Sequence, residues 1–237
     1  MTCALCQLEK PLLQSHIIPE FLHRALYDEK HRFHVISALP GELPEYKQKG
    51  EREPLLCGDC ESLFSKYERY GSLVLHGGTP LTARQDGTLL LLAGIDYKQF
   101  KLFQMSILWR AGVSSLPFFE RVSLGPHQER LRTLLLSEDP GQPEQYGCIM
   151  WGLSMIPGQT PALFMQPTRV RNQGFITYKF VFAGLVWVFF VTKEPLRYPL
   201  DRCVLQANGE TVVQMRSVAE MQDLKAFFVA AQKSGNI

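Results

Sequence analysis

The chain carries no surplus of either charge: 25 lysines and arginines face 23 aspartates and glutamates over 237 residues, a net charge of +2. That balance excludes a polybasic coat, so any nucleic-acid contact has to come from a local patch. Long hydrophobic runs are also missing. The longest, Phe180 to Val191, falls well short of the roughly 20 residues that a helix needs to cross a bilayer. It reads as a buried strand, and no membrane is expected among the partners. The opening MTCALCQLEK lacks the basic segment and apolar core of a signal peptide, which points to a soluble, cytoplasmic protein. Internal repeats, low-complexity tracts, a phosphate-binding glycine loop, a dinucleotide glycine fingerprint and an H-E-x-x-H pair are all absent, which removes the chemistries those motifs announce. His76 and His127 have no identifiable triad partners, so serine or cysteine hydrolysis is not built on them.

What is present is an ordinary globular composition, 46% hydrophobic and 20% charged, enough for a packed core. Pro19 can open a helix through Tyr27, with Phe21, Leu22, Ala25 and Leu26 on its apolar side. Residues 32–39 read as extended, and Pro40 to Pro54, rich in glycine, proline and charge, as a loop. A helix should run from the Cys57–Cys60 region to Tyr70, with Cys60, Leu63, Phe64 and Tyr67 on one side. Gly77-Gly78 marks a break, dividing the chain into a module over residues 1–76 and an α+β region over residues 77–237.

In the second part, Leu89 to Ala93 is strand-like, and helices are expected over Asp96 to Arg110 and His127 to Ser137. Strands follow at 146–156, 162–169, 175–182 and 185–191, then a hairpin of Val204 to Ala207 with Thr211 to Met215 around Asn208-Gly209. A last amphipathic helix, marked by Val218, Met221, Leu224 and Phe228, should start at a Ser217 cap with Glu220 in the capping-box position. The fold class is therefore α+β, with an antiparallel or mixed sheet and flanking helices.

Six cysteines in a chain of this length do not make a disulfide framework, and four of them form two C-x2-C pairs, Cys3/Cys6 and Cys57/Cys60. Two such pairs offer four thiolates to one tetrahedral ion. A structural Zn2+ bound there closes a loop of about fifty residues and, with no open coordination position, activates no water. Cys148 and Cys203 sit in apolar or mixed segments and read as small core residues.

A knuckle supplying Cys3 and Cys6 and a helix start supplying Cys57 and Cys60 resemble a treble clef, and Ser15-His16-Ile17-Ile18-Pro19 after the knuckle extends the resemblance, over about residues 1–70, to the four-cysteine branch of the HNH endonucleases. The resemblance implies divalent-metal-dependent phosphodiester hydrolysis of DNA or RNA, with His16 as general base. It departs from the family pattern in three ways: Ser15 stands where an acidic residue is usual, Glu61 where a metal-binding histidine is usual, and no asparagine precedes Asn172. Glu61 is then the candidate ligand for a catalytic Mg2+ or Mn2+. Glu68 lies about 10 Å further along the same helix, too far for one ion to bridge both carboxylates. His23, His31 and His34 could replace missing family residues or be structural. Arg169, Arg171, Lys179, Lys193, Arg197 and Arg202 could gather at one end of the strands against a phosphate backbone or form a solvated rim. Three functions stay open: a nuclease, a catalytically altered zinc-stabilised nucleic-acid-binding or regulatory protein, and an effector-sensing domain joined to a scaffold. A protein partner or homodimer fits any of them.

Overall fold

The structure, a computed structural model, describes residues 1–35, 45–154 and 163–233. The expectations for residues 36–44, for the adjoining ends of the strands placed at 146–156 and 162–169, and for the Phe228 side chain lie outside the described residues.

The N-terminal part is a two-stranded antiparallel hairpin, β1 (Leu12–His16) with β4 (Arg52–Cys57), that runs directly into helix α1 (Gly58–Leu75). A second small ladder, β2 (Phe33–Val35) with β3 (Glu45–Lys47), lies in the excursion between the two strands. Both β3 and β4 occupy or enter the segment whose proline, glycine and charge read as loop. The ladder to β1 overrides local propensity there, because Leu55, Leu56 and Cys57 are buried and give β4 an inner end. The expected helix after Pro19 is a 3-10 turn over Glu20–Leu26.

The rest of the chain builds one seven-stranded mixed sheet from β5 (Thr82–Asp86), β6 (Leu89–Ala93), β7 (Cys148–Ser154), β8 (Met165–Asn172), β9 (Phe175–Phe182), β10 (Leu185–Phe190) and β11 (Thr211–Ser217), in the spatial order β5-β6-β11-β7-β10-β9-β8. All neighbours are antiparallel except β11 and β7. Strand β10 shows why the longest apolar run is not a helix. Trp187 and Phe189 face one core cluster while Val186, Val188 and Phe190 face another, so a strand covered on both sides reads as continuously hydrophobic.

The expected hairpin around Asn208-Gly209 is a turn without a ladder. Val204 bridges only to Ile149, while β11 turns away to pair with β6 and β7. Gly209 makes this route possible: its φ is +82°, and a Cβ there would lie 2.2 Å from the Ile95 carbonyl oxygen. Gly209→Ala should therefore cost about 2–4 kcal/mol in denaturant unfolding, from left-handed strain plus a clash with backbone that cannot swing aside. The expected last helix is also divided. Ser217 caps a 3-10 turn over Val218–Glu220, Met221 is extended, and helix α4 (Gln222–Lys233) follows.

Helix α2 (Tyr97–Val113) joins the two parts. Asp96 caps it by accepting from the Gln99 N–H, and every residue from Phe100 to Ala111 is buried. A helix buried all round needs cover on every side. The sheet supplies one side through Trp187, near Phe100 and Phe103, and α1 supplies another, where Gly71 lets the Phe103 ring approach. Helix α3 (His127–Leu136) packs on α2 as well. One hydrophobic cluster consequently runs from Cys3 and Phe64 through Trp109 to Phe180 and Val213, straight across residue 76.

Candidate metal centre and the histidine of the adjoining hairpin

The first cysteine pair is held by a tight loop closed by the Thr2–Glu9 bridge, with the Cys3 N–H donating to the Leu8 carbonyl and the Gln7 N–H to the Cys3 carbonyl. Gln7 takes the left-handed conformation, φ 60°, that this loop requires. The second pair spans the N-cap and first turn of α1, because Cys57 is the N-cap residue and Cys60 follows on the buried side. The Ala4 N–H to Leu55 carbonyl bond (3.1 Å) and the Cys57 N–H to Cys3 Sγ bond (3.3 Å) bring the pairs together. Arg132 of α3 adds a clasp, donating to the Leu5 carbonyl at 2.6 Å.

All four sulfurs lie within 4.8 Å of one another, with Cys6 and Cys57 Sγ 3.8 Å apart. A disulfide would need about 2.05 Å. Four thiolates at about 2.3 Å from a common ion stand about 3.8 Å apart, so the donor set fits a tetrahedral metal. The electrostatics agree. Burial opposes ionisation of Cys3, but N–H donors from Cys6, Cys57 and Leu5 outweigh it and bring its pKa down to about 7. Burial and the neighbouring cysteines push the Cys60 thiol far up. Four thiolates gathered in a buried cluster need a cation's charge to offset their own.

His16 ends β1, paired in register with Arg52. Ser15 just before it is buried at the β1 bulge: its hydroxyl accepts from the Leu56 N–H at 3.1 Å and donates to the Leu13 carbonyl. That hydroxyl completes the irregular ladder. The His16 side chain is 27% exposed, with Nε2 2.7 Å from Glu20 Oε2, a contact that is an ion pair only when the ring is protonated and that falls outside hydrogen-bond alignment. Nδ1 has no hydrogen-bond partner among the described residues. Glu20 is braced by the Tyr27 hydroxyl at 2.5 Å, and His31 stacks on Tyr27 at 3.9 Å with its own Nε2 3.8 Å from Glu20. Burial lowers the His16 pKa, helped by Arg52 and Arg110 and opposed by Glu20 and Glu68, which favours the neutral ring. Burial raises the Glu20 pKa, but the Tyr27 hydroxyl that it accepts from, together with the surrounding histidines, outweighs burial and leaves it below the usual carboxylate value.

The other sequence candidates separate. Glu61 is on the first turn of α1 next to Cys60, with one carboxylate oxygen buried and unpartnered among the described residues. It is Glu68, two turns on, whose charge acts on His16. His23 is fully buried among Phe33, Phe164 and Gly50, and burial lowers its pKa to about 4. His34 lies on β2, its side chain outside the described residues. Among the described residues, the four cysteines are the one group of three or more His, Cys, Asp or Glu whose donor atoms could share an ion. Among the described residues no group of three or more such donors gathers at His16, and no chemical step is derived through a second ion.

Of the basic residues in the second part, Arg169 and Arg171 are exposed on edge strand β8. They lie toward the end of the sheet where β10 runs out to Lys193, whereas Lys179 pairs with Thr168 in mid-strand. Cys148 is buried and Cys203 half-buried, both away from the four-cysteine cluster. No described helix is long and apolar enough to cross a membrane.

No family model, curated protein or solved structure matches this chain.

Glu20, Tyr27, Arg52 and Arg110 were not singled out by sequence reasoning. Glu20 carried a signal, standing four residues after His16. Arg110 carried another, as a charge within the apolar pattern of a helix that proves to be buried.

Proposed function

We propose that the first 76 residues form a treble-clef module folded around one structural Zn2+ on Cys3, Cys6, Cys57 and Cys60, and that this module presents His16 as the general base for phosphodiester hydrolysis of a nucleic acid. The observation that carries the proposal is a partly exposed His16 with Nε2 2.7 Å from Glu20 Oε2, in surroundings that lower the pKa of both groups. The carboxylate favours the tautomer with its proton on Nε2, which leaves Nδ1 as the lone pair. Nδ1 takes the proton of a water whose oxygen bonds to the phosphorus, the P–O bond to the leaving sugar oxygen breaks, and that oxygen takes its proton from solvent water, while Glu20 stabilises the imidazolium until it is deprotonated again. Arg52, opposite His16 in the hairpin, supplies positive charge for the phosphate.

The test is cleavage of single- and double-stranded DNA and RNA with Mg2+, with Mn2+ and with EDTA. His16→Ala should lower the rate about 100-fold or more while zinc content and melting temperature stay at wild-type values. The mechanism is lost if the wild type cleaves none of these substrates, or if His16→Ala cleaves at the wild-type rate.

A second reading, a catalytically altered nucleic-acid-binding or regulatory module, is favoured by the absence of a second donor set among the described residues and by the structural use of the Ser15 hydroxyl. Binding that survives His16→Ala with no cleavage under any condition would select it.

A further inference from the structure

The charged side chain most deeply committed to the His16 region comes from the far part of the chain. Arg110, on α2, is 1% exposed, and its Nη1 donates both to the His16 carbonyl at 2.7 Å and to Glu68 Oε1 at 2.6 Å. Its Nε and Nη2 point back to the carbonyl and hydroxyl of Ser106, each at 3.3 Å, and the Ser106 hydroxyl is anchored in turn on the Phe103 carbonyl at 2.8 Å. The guanidinium also lies 5.4 Å from the centroid of the Phe64 ring. Four of the five guanidinium N–H groups have partners.

A guanidinium here is a poor device for stability alone. Desolvating a charge costs several kcal/mol, and apolar replacements of similar volume often stabilise such positions. What Arg110 supplies that an apolar residue cannot is geometry. His16 is the last residue of β1, and the chain leaves it for Pro19 and the 3-10 turn, so its backbone lies at the end of the ladder. We propose that Arg110 is a positioning residue for His16, holding its carbonyl and Glu68 on one nitrogen so that α2, from the sheet-forming part of the chain, completes the N-terminal centre. The proposal rests on the general-base reading of His16 for its catalytic consequence. Buried as it is, Arg110 reaches no substrate; it acts by fixing where the imidazole stands. The charges that act on that imidazole are Glu20 from the 3-10 turn, Arg52 from β4, Glu68 from α1 and Arg110 itself.

Arg110→Lys keeps the charge and loses the planar fork. In the full chain it should lower kcat about 10-fold or more, with KM changed less than about twofold, while zinc content and cooperative unfolding are retained. Arg110→Met should in addition raise the His16 pKa, read from the ring resonances by NMR titration, because it removes a neighbouring cation and frees Glu68. Wild-type kcat in Arg110→Lys, or activity lost only in proportion to the unfolded fraction, would overturn the proposal. If the wild type cleaves no nucleic acid, the general-base reading fails by itself. The positioning claim is then decided by the His16 ring: unchanged resonances and pKa in both variants refute it, and shifted ones in folded protein sustain it.

Discussion

Cys57→Ser should leave most of the chain unfolded at 25 °C, with no zinc retained. Cys57 occupies three structural roles at once: a sulfur in the four-cysteine cluster, the N-cap residue of α1, and the last rung of the β1–β4 ladder opposite Leu12. A structural zinc bound by four thiolates contributes on the order of 10 kcal/mol of apparent folding free energy in small zinc domains, comparable to the whole stability of an ordinary domain. The damage should not stay local. Phe64 and Tyr67 of α1 belong to the same hydrophobic cluster as α2 and the sheet, so loosening α1 exposes one side of a helix built to be buried all round. Cys148→Ser is the matching control. It places a hydroxyl in a buried strand and should cost about 1–3 kcal/mol while leaving zinc content untouched. Elemental analysis and far-UV circular dichroism of both variants, with and without a chelator, check the prediction. A Cys57→Ser protein that stays folded and metal-free would refute the metal-dependent fold.

The cysteine pairs were legible because ligand spacing is a local property, and two C-x2-C pairs flanking a long insertion seldom arise except to grip a metal. Helix α2 and strands β9 and β10 were legible for a similar reason, since apolar periodicity and run length report burial directly. Strand β1 was not. Leu12-Leu13-Gln14-Ser15-His16 has a register shift after Leu13, and its inward residues become evident only with β4 beside it. The acidic neighbours of His16 were weighed by analogy, which favoured Glu61 at a family position. Which helix turn faces a strand end depends on how α1 lies across the hairpin, and that is set by Gly71 against Phe103 and by Arg110, all remote in sequence from His16. Lys101 and Arg110 stand nine residues apart, on opposite sides of α2, so they do not mark one solvated face, and helical spacing alone gives each of them no cover. They are buried because α2 has cover from both the sheet and the four-cysteine module, a fact of tertiary assembly that helical periodicity does not carry.

Lys101 gives the second large effect, and its sign follows from burial. The amine is fully buried, with one hydrogen bond to the Pro143 carbonyl at 2.8 Å, and desolvation lowers its pKa to about 7, opposed by Cys148 and Glu144. In the unfolded chain the same amine titrates near 10.4. Between these values the unfolded state binds a proton that the folded state lacks, so the contribution of Lys101 to stability increases as pH rises from about 7 to about 10 and has no slope below the folded value. At pH 7 the penalty approaches about 5 kcal/mol, taking about 1.4 kcal/mol for each unit of displacement. Lys101→Met removes that penalty but strands the Pro143 carbonyl, which gives back about 1–3 kcal/mol. The variant should therefore be about 2–4 kcal/mol more stable than wild type at pH 7, and the gap should close by about 1.4 kcal/mol per pH unit, reversing before pH 10. Cys148, Tyr67 and Tyr97 also titrate on unfolding in alkali, but they are present in both proteins, so the difference between the two urea midpoints isolates the lysine to first order. A gap that stays constant from pH 7 to pH 9.5 would mean that the amine is charged inside the folded protein. The Pro143 carbonyl, with whatever else surrounds the amine, would then have to solvate an ammonium, and α2 would carry two buried cations instead of one.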